Sequence, residues 1–373
     1  MRIAIEAQRI FRQNKHGMDF VVLEVIRQLQ QIDTQNQYFI FVAKGPDRVL
    51  QETSNFKIIE LQSPSYPLWE QVALPLAIKK VKPDLLHCTS NTAPICCDVP
   101  TVLTLHDMIF LEPKVATPKS LYQLMGWYYR KLVVPLILPK MKQVITVSNF
   151  ERNHMIQQLG LAENQIKTIY NGYAVHFKPT LGSEATRDKY IQDSDYIFFL
   201  GNTDPKKNVA NTLKGYSLYR QASADPKPLL LGDMKPDQLM HVLQDNNLQG
   251  LTSNIVLTGY VPNHELPVLY SYAFAFLYTS LRESFGIPLL EAMACGTPVI
   301  TSNCASMPEV AQEAALQVDP RAPQQIANAL LRLERDAACC ETLCQAGLAR
   351  VKQFSWHNTA LQTLDTYRAI CSK

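Results

Sequence analysis

The chain has 373 residues, 47% of them apolar and 18% charged, and carries a formal net charge of +3. That length exceeds what one hydrophobic core serves and points to two domains, while the composition excludes disordered, fibrous and collagen-like chains. Twenty Lys and Arg stand against 14 Asp and Glu over residues 1–180, and 16 against 19 over the remainder. A basic first half suits an anionic ligand or an anionic membrane surface, though uneven solvated faces give the same count; the excess is far below that of a nucleic-acid binder, so no nucleic-acid partner is expected.

Nine cysteines, an odd number without CxxC spacing, read as reduced thiols of a cytoplasmic protein. The adjacent pairs Cys96–Cys97 and Cys339–Cys340 lack zinc-ligand spacing, and no metal or other cofactor is expected. No charged and apolar leader precedes the strand-like "MRIAIEAQ". The longest wholly apolar run, "LVVPLILP" at 132–139, is too short to span a bilayer.

In chain order, strands are predicted over 2–8, 38–44, 56–61, 84–90, 101–107, 143–148 and 166–170. A second set follows over 196–202, 228–232, 254–261, 273–280, 297–303 and 315–320. Near-continuous apolar strands alternating with helical patterns predict parallel sheets buried on both faces. Between the sets, residues 177–195 are polar and contain Pro and Gly, as a linker does. The expected fold is therefore α/β, two Rossmann-like domains in tandem, with ligands at the carboxyl ends of the strands where the halves face each other. Ser148 with Glu151 predicts a capping box for the helix that stops at Gly160, and Ser306 with Glu309 predicts another over "MPEVAQEA". Those residues then need no catalytic role.

Four constellations carry chemistry. "TVLTLHDMIF" sets His106 and Asp107 just after a strand of the first half, where a lone histidine equally suits a structural place. "FFLGNTDPKKNVANTLKGY" is a strand, a loop and a helix, and Lys206 and Lys207 at a helix amino terminus can neutralise a diphosphate leaving group, or stand as solvated lysines. Its glycines fit neither G-x-G-x-x-G nor the P-loop pattern. "VLTGYVPNHELPVLY" brings Tyr260 and Val261 to a strand end, where Tyr260 equally serves packing. In "LYTSLRESFGIPLLEAMACGTPVITSN", residues 277–303, Pro288 suits the first turn of a helix ending at Gly296. The loop lies at a helix amino terminus that suits anions, with Gly286 allowing close backbone approach. Glu283 is expected in the loop and Glu291 in the first helical turn. Two carboxylates suit the hydroxyls of a sugar or ribose, although Glu291 could simply offset the helix dipole and Glu283 be solvated.

The wording of residues 279–310, with Glu283 and Glu291 eight apart, Phe285-Gly286 between them and a later Pro-Glu-Val, closely resembles the signature of the family 4 retaining glycosyltransferases, which have the GT-B fold. The likeness extends over nearly the whole chain. It implies two Rossmann-like domains facing across a cleft: 1–178 on the acceptor side, 179–355 holding the nucleotide sugar, and 356–373 a helix returning to the first domain. It implies that Glu283 holds donor-sugar hydroxyls and that Glu291 holds the ribose. Gly201, Lys206 and Lys207 would lie along the diphosphate, with Lys206 where arginine is usual. His106 would approach the reacting end of the sugar, Asn171 would line the same cleft, and Tyr260 and Val261 would seat the base. Gly17 matches the family's first loop glycine, but Asp19 and Phe20 replace a common glycine and arginine, which leaves the acceptor unread. Ser284, Phe285, Gly286 and Ile287 complete the implied donor site.

The implied activity is metal-independent transfer of a hexose, with retention, from a nucleotide-diphosphate sugar to a hydroxyl of a glycan or lipid-linked glycan. The wording is closest to mannosyltransferases of polysaccharide assembly, so GDP-mannose is favoured over a UDP-sugar. The alternatives are a UDP-sugar 2-epimerase or hydrolase of the same fold and a non-catalytic subunit that binds nucleotide sugar. Residues 119–142 mix aromatics with Lys and Arg, as a peripheral contact at the inner membrane face would, or as core helices with flanking charges would.

Overall fold

The inner strands arise from short runs of β-branched, leucine and aromatic residues buried along nearly their whole length, the strands at the sheet edges are only partly buried, and helices cover the sheet faces. In this computed structural model residues 1–13, 15, 17–112, 121–192 and 195–372 are described, with the side chains of 121–123 left out. The chain divides into two units, residues 1–172 with 356–373, and residues 173–355.

The first unit holds β1 (Arg2–Glu6), β2 (Gln37–Ala43), β3 (Phe56–Leu61), β4 (Leu85–Cys88), β5 (Thr101–Thr104), β6 (Gln143–Thr146) and β7 (Ile166–Thr168). They form one parallel sheet in the order β3-β2-β1-β4-β5-β6-β7, with Ile5 level with Ile40 on one side and His87 on the other. One face packs Phe41, Trp69, Leu86, Leu103, Val134 and Met155 into a core. The closing helix Trp356–Cys371 belongs to this unit. Its Tyr367 phenol lies 2.6 Å from His87 Nδ1, and its Thr359 hydroxyl donates to the Tyr170 carbonyl at 2.7 Å.

The second unit holds β8 (Tyr196–Leu200), β9 (Leu229–Gly232), β10 (Ile255–Gly259), β11 (Ala273–Tyr278), β12 (Val299–Ser302) and β13 (Leu316–Val318). Their order is β10-β9-β8-β11-β12-β13, again all parallel. Strand order reverses at β1/β4 in one sheet and at β8/β11 in the other. Such a switch point splays neighbouring loops apart and leaves a crevice at the strands' carboxyl ends. Loops 201–208 and 279–286 follow the two strands at the second switch point. Among the described residues no helix is long and apolar enough to cross a membrane.

Candidate active site

Loop 279–286 is fixed by hydroxyls from the next strand and loop. Thr301 donates to the Tyr278 carbonyl at 3.0 Å and Ser302 to the Ser280 carbonyl at 2.5 Å. The Ser306 hydroxyl meets the Glu283 carbonyl at 2.9 Å and that of Phe285 at 3.0 Å. Ser306 therefore does not cap the helix Met307–Ala311 as expected; its side chain has no amide partner there, because the hydroxyl is already committed to the glutamate loop. Ser148, by contrast, accepts from the Glu151 amide at 3.2 Å as a cap should.

Gly286 has φ +104° and caps the helix Ile287–Ala294, a conformation open to few residues with a Cβ. A Cβ there would also stand 3.3 Å from the Tyr278 ring. The helix thus begins at Ile287, and Glu291 falls in its second turn rather than the first. Nothing about the helix terminus then accounts for its charge. The Phe285 ring turns into the core, 5.8 Å from the Phe354 ring, which leaves only the backbone of this residue at the loop surface.

Lys207 Nζ donates to Glu283 Oε1 at 2.7 Å, with their side chains 18% and 14% exposed. Burial pushes the Glu283 carboxyl up, but the Lys207 and Lys206 ammoniums outweigh it and hold the group below the ordinary carboxylate range. The Ser280 hydroxyl pulls the same way, and burial and then the Glu283 charge push the Tyr278 phenol well up. Burial pushes Glu291 up to about 7, while the Tyr270 phenol, 3.4 Å away, pulls weakly the other way. Two carboxylates in one loop-helix unit therefore differ in protonation near neutral pH: one is ionised and paired, the other poised to titrate.

Loop 201–208 reaches the same place from β8. The backbone carbonyl of Lys206 accepts from the Leu281 amide at 2.7 Å, which ties the lysine loop to the glutamate loop. Asp204 caps the short turn Pro205–Lys207, and Lys206 Nζ stands 4.0 Å from its carboxylate, on the solvent side. A Cβ on Gly201 would come within 2.7 Å of the Phe199 ring, so glycine is required here. Val261 is buried at the end of β10 and Tyr260 is 82% exposed. Both lie along the carboxyl edge of the same sheet, two strands from β8.

In the first unit, His106 follows β5 and is 5% exposed. Its Nε2 lies 3.0 Å from the Thr89 carbonyl, which can only accept, so the neutral ring carries its proton on Nε2 and leaves Nδ1 as acceptor. Burial keeps the imidazole below its ordinary range, against the Thr89 carbonyl and the charges of Asp107 and Asp19. Its amide donates to Asn91 Oδ1 at 2.6 Å. His106 and Asn171 line one largely apolar pocket with Ile5, Val25, Ile145 and Val147. Gly17 opens the helix Gly17–Ile32, and a Cβ there would meet nothing within 4 Å. Asp19, in that helix's first turn, is buried and acts on His106 through its charge.

Sequence reasoning missed three residues. Tyr278 is fully within the core, and the Lys207 ammonium sits 5.3 Å from its ring centre. Asn208, left-handed at φ 57°, donates to the carbonyls of Thr279 at 3.0 Å and Pro320 at 2.7 Å and so locks the lysine loop to β11. Ser306 is the third. Only Tyr278 leaves a sequence signal, as an aromatic ending a strand five residues before Glu283.

A family model described as "Glycosyl transferases group 1" matches residues 183–348, and one described as "Glycosyltransferase Family 4" matches residues 16–177. The O-antigen chain mannosyltransferase B of Escherichia coli is 31% identical over 275 residues, 72% of this chain and 70% of that protein. The serotype-specific mannosyltransferase WbdA of Escherichia coli is 28% identical over 347 residues, 88% of this chain, which spans 41% of the length of that relative. Among solved structures, the sucrose-phosphate synthase (tll1590) from Thermosynechococcus elongatus aligns with a TM-score of 0.78 at 22% identity, over 100% of this chain and 99% of that one. Two family models that between them take in most of the chain, and a relative 31% identical, agree with the paired parallel sheets: the chain belongs to the family 4 glycosyltransferases and has the GT-B fold.

Proposed function

We propose that this glycosyltransferase moves a hexose, mannose in preference, from a nucleotide-diphosphate donor to a hydroxyl of a glycan or lipid-linked glycan, with retention and without a metal ion. The observation that carries the reading is the Lys207–Glu283 pair at the β8/β11 switch point, joined to Lys206 and Gly286. A cation beside an oriented carboxylate matches a donor whose diphosphate is anionic and whose sugar hydroxyls are neutral.

In the proposed reaction the bond from the anomeric carbon to the diphosphate oxygen breaks, and the acceptor oxygen bonds to that carbon on the same face. The departing phosphate oxygen takes the acceptor's proton. Lys206, Lys207 and the helix termini after Asn208 and Gly286 stabilise the charge that develops. Glu283 orients the sugar hydroxyls, Glu291 accepts from the ribose, and Gly201, Ser284 and Ile287 line the diphosphate with their backbone. Tyr260 and Val261 hold the base. Neutral His106 offers Nδ1 to a sugar hydroxyl near the reacting carbon, with Asn171 and Gly17 beside it. Mannose and GDP are favoured because the relatives named above are mannosyltransferases; a UDP-sugar is the alternative donor. The site of action is placed in the cytoplasm, with a peripheral contact at the inner membrane face.

The test is a thermal-shift series on the full chain with GDP, GDP-mannose, UDP, UDP-glucose and ADP, since a ligand that binds only the folded state raises its melting point. A shift with GDP and GDP-mannose alone supports the reading. A shift with UDP compounds alone overturns the donor assignment and leaves the transfer chemistry standing. No shift with any nucleotide, in protein shown to be folded, overturns the transferase reading.

A further inference from the structure

Two carboxylates of the first unit are wholly buried and stand apart from the glutamate and lysine loops of the second. Glu6 closes β1 and Glu70 lies in the helical stretch 66–81, and both are 0% exposed. Burying a carboxylate is costly unless its oxygens are well hydrogen-bonded. Glu6 Oε1 accepts from the Gln8 amide at 3.0 Å, and its Oε2 accepts from the Thr89 amide at 3.1 Å. Glu70 Oε1 accepts from the hydroxyls of Tyr66 at 2.7 Å and Thr92 at 2.5 Å. Its Oε2 accepts from the Tyr129 hydroxyl and from Gln71 Nε2 at 2.9 Å. None of these partners is a cation. What the two groups share is the segment Thr89–Thr92, which each holds at one end.

That segment leaves the sheet where strand order reverses. The β1–β4 ladder ends with Glu6 level with Cys88, so the Thr89 amide falls one residue past it. The Glu6 side chain takes the place of the missing strand partner. The Thr89 hydroxyl also donates to the Glu6 carbonyl at 2.6 Å. Asn91, left-handed at φ 67°, donates its amide to the Thr104 carbonyl at 3.2 Å, and Thr92 is tied to Glu70 at the far end. Between these ties the segment grips His106 twice. The Thr89 carbonyl takes Nε2, and Asn91 Oδ1 takes the His106 amide. Thr89, Asn91 and Thr92 are 4%, 3% and 1% exposed, so solvent has little access to these bonds.

We infer that Glu6 is a positioning residue for His106: acting through Thr89, with Glu70 anchoring the far end of the segment, it holds the imidazole in the tautomer that presents Nδ1 as an acceptor. The inference rests on the proposed use of Nδ1 in the transfer, but the tautomer is read without turnover, so the two fail separately. Glu6→Gln keeps the shape and sets an NH2 group against a backbone amide, donor against donor, whichever way the new side chain turns. The partners of Glu70 are chiefly hydroxyls, which can turn to accept, so Glu70→Gln disturbs less. The readout is the nitrogen-15 spectrum of the histidine-labelled full chain, with the His106 signals assigned from His106→Gln. Wild-type protein is expected to carry the His106 proton on Nε2 alone. Glu6→Gln should show both tautomers, with kcat about tenfold lower, donor KM within about twofold and the nucleotide-induced melting shift kept. Glu70→Gln should keep the wild-type tautomer and lose no more than about twofold in kcat. Thr89→Val deletes only the hydroxyl arm and should shift the tautomer in the same direction, which keeps the inference testable should Glu6→Gln not fold. A single, wild-type tautomer in the folded variants at Glu6 and Thr89 overturns the inference, and so does a larger disturbance from Glu70→Gln than from Glu6→Gln. Mixed tautomers at unchanged kcat would uphold Glu6 as the anchor of His106 and remove His106 from the transfer chemistry.

Discussion

Glu283 and His106 both follow a strand of a parallel sheet close to the point where strand order reverses, yet their surroundings are opposite. Glu283 is ionised and clamped by Lys207, with the Lys206 ammonium adding to the pull. His106 is held neutral by burial in a pocket of isoleucines and valines, with one nitrogen committed to a carbonyl. The second unit thus concentrates charge where an anionic donor is proposed to leave, while the first offers uncharged hydrogen-bonding groups in a dry setting. A cation in the His106 pocket would lose more solvation than the Thr89 carbonyl and the charges of Asp107 and Asp19 restore.

The sharpest test of that contrast removes the charged carboxylate. Glu283→Gln should lower kcat by about 10³-fold while nucleotide affinity stays within about threefold, because the lost interaction is aimed at the transferring sugar. A rise in KM at unchanged kcat would break the comparison and reduce Glu283 to uniform binding. His106→Gln should cost about 10²-fold in kcat, and wild-type kcat should show no limb near the ordinary imidazole pKa. An imidazole-like limb that vanishes in the variant would show that the histidine works charged.

Glu291 sharpens the comparison within the second unit. Its carboxyl titrates at about 7, and ribose hydroxyls donate best to the ionised form, so nucleoside diphosphate affinity should rise as pH rises through 7. Titration calorimetry between pH 6 and 8 should show a gain of about tenfold, since about a tenth of the carboxyl is ionised at pH 6 and most of it at pH 8. Glu291→Gln should flatten the profile. Because the folded pKa lies above that of the unfolded chain, the carboxylate weakens the fold as pH rises between the two, and the same variant should melt higher relative to wild type at pH 8 than at pH 5.

Tyr278→Phe removes a buried phenol that interacts with the Glu283 carboxylate and should lower kcat by about tenfold, with the acid limb of the pH profile moving up. An unchanged profile would make Tyr278 simple packing. The smallest effect is expected from Ser306→Ala, which removes the hydroxyl that lies 2.9 Å from the Glu283 carbonyl and 3.0 Å from that of Phe285. It should cost about 1–3 kcal/mol in denaturant unfolding.

What the sequence by itself determined is local. Twelve of the thirteen strands among the described residues fall within their predicted segments and β2 begins one residue before its own, because strands of a parallel sheet covered by helices are largely apolar, and that pattern survives without any tertiary information. Gly286 and Pro288 announced a helix start through backbone restrictions that act within a few residues, and the wording around Glu283 and Glu291 pointed to the family. Tertiary structure decided what depends on neighbours far apart in the chain. Lys207 and Glu283 meet across 76 residues, and Ser306 abandons its own helix to hold a loop 21 residues earlier. The protonation of Glu291 and His106, and the hold of Glu6 and Glu70 on residues 89–92, likewise exist only once packing has removed some groups from water and left others in it. Spacing along a chain encodes the first kind of fact; desolvation and pairing across the fold create the second.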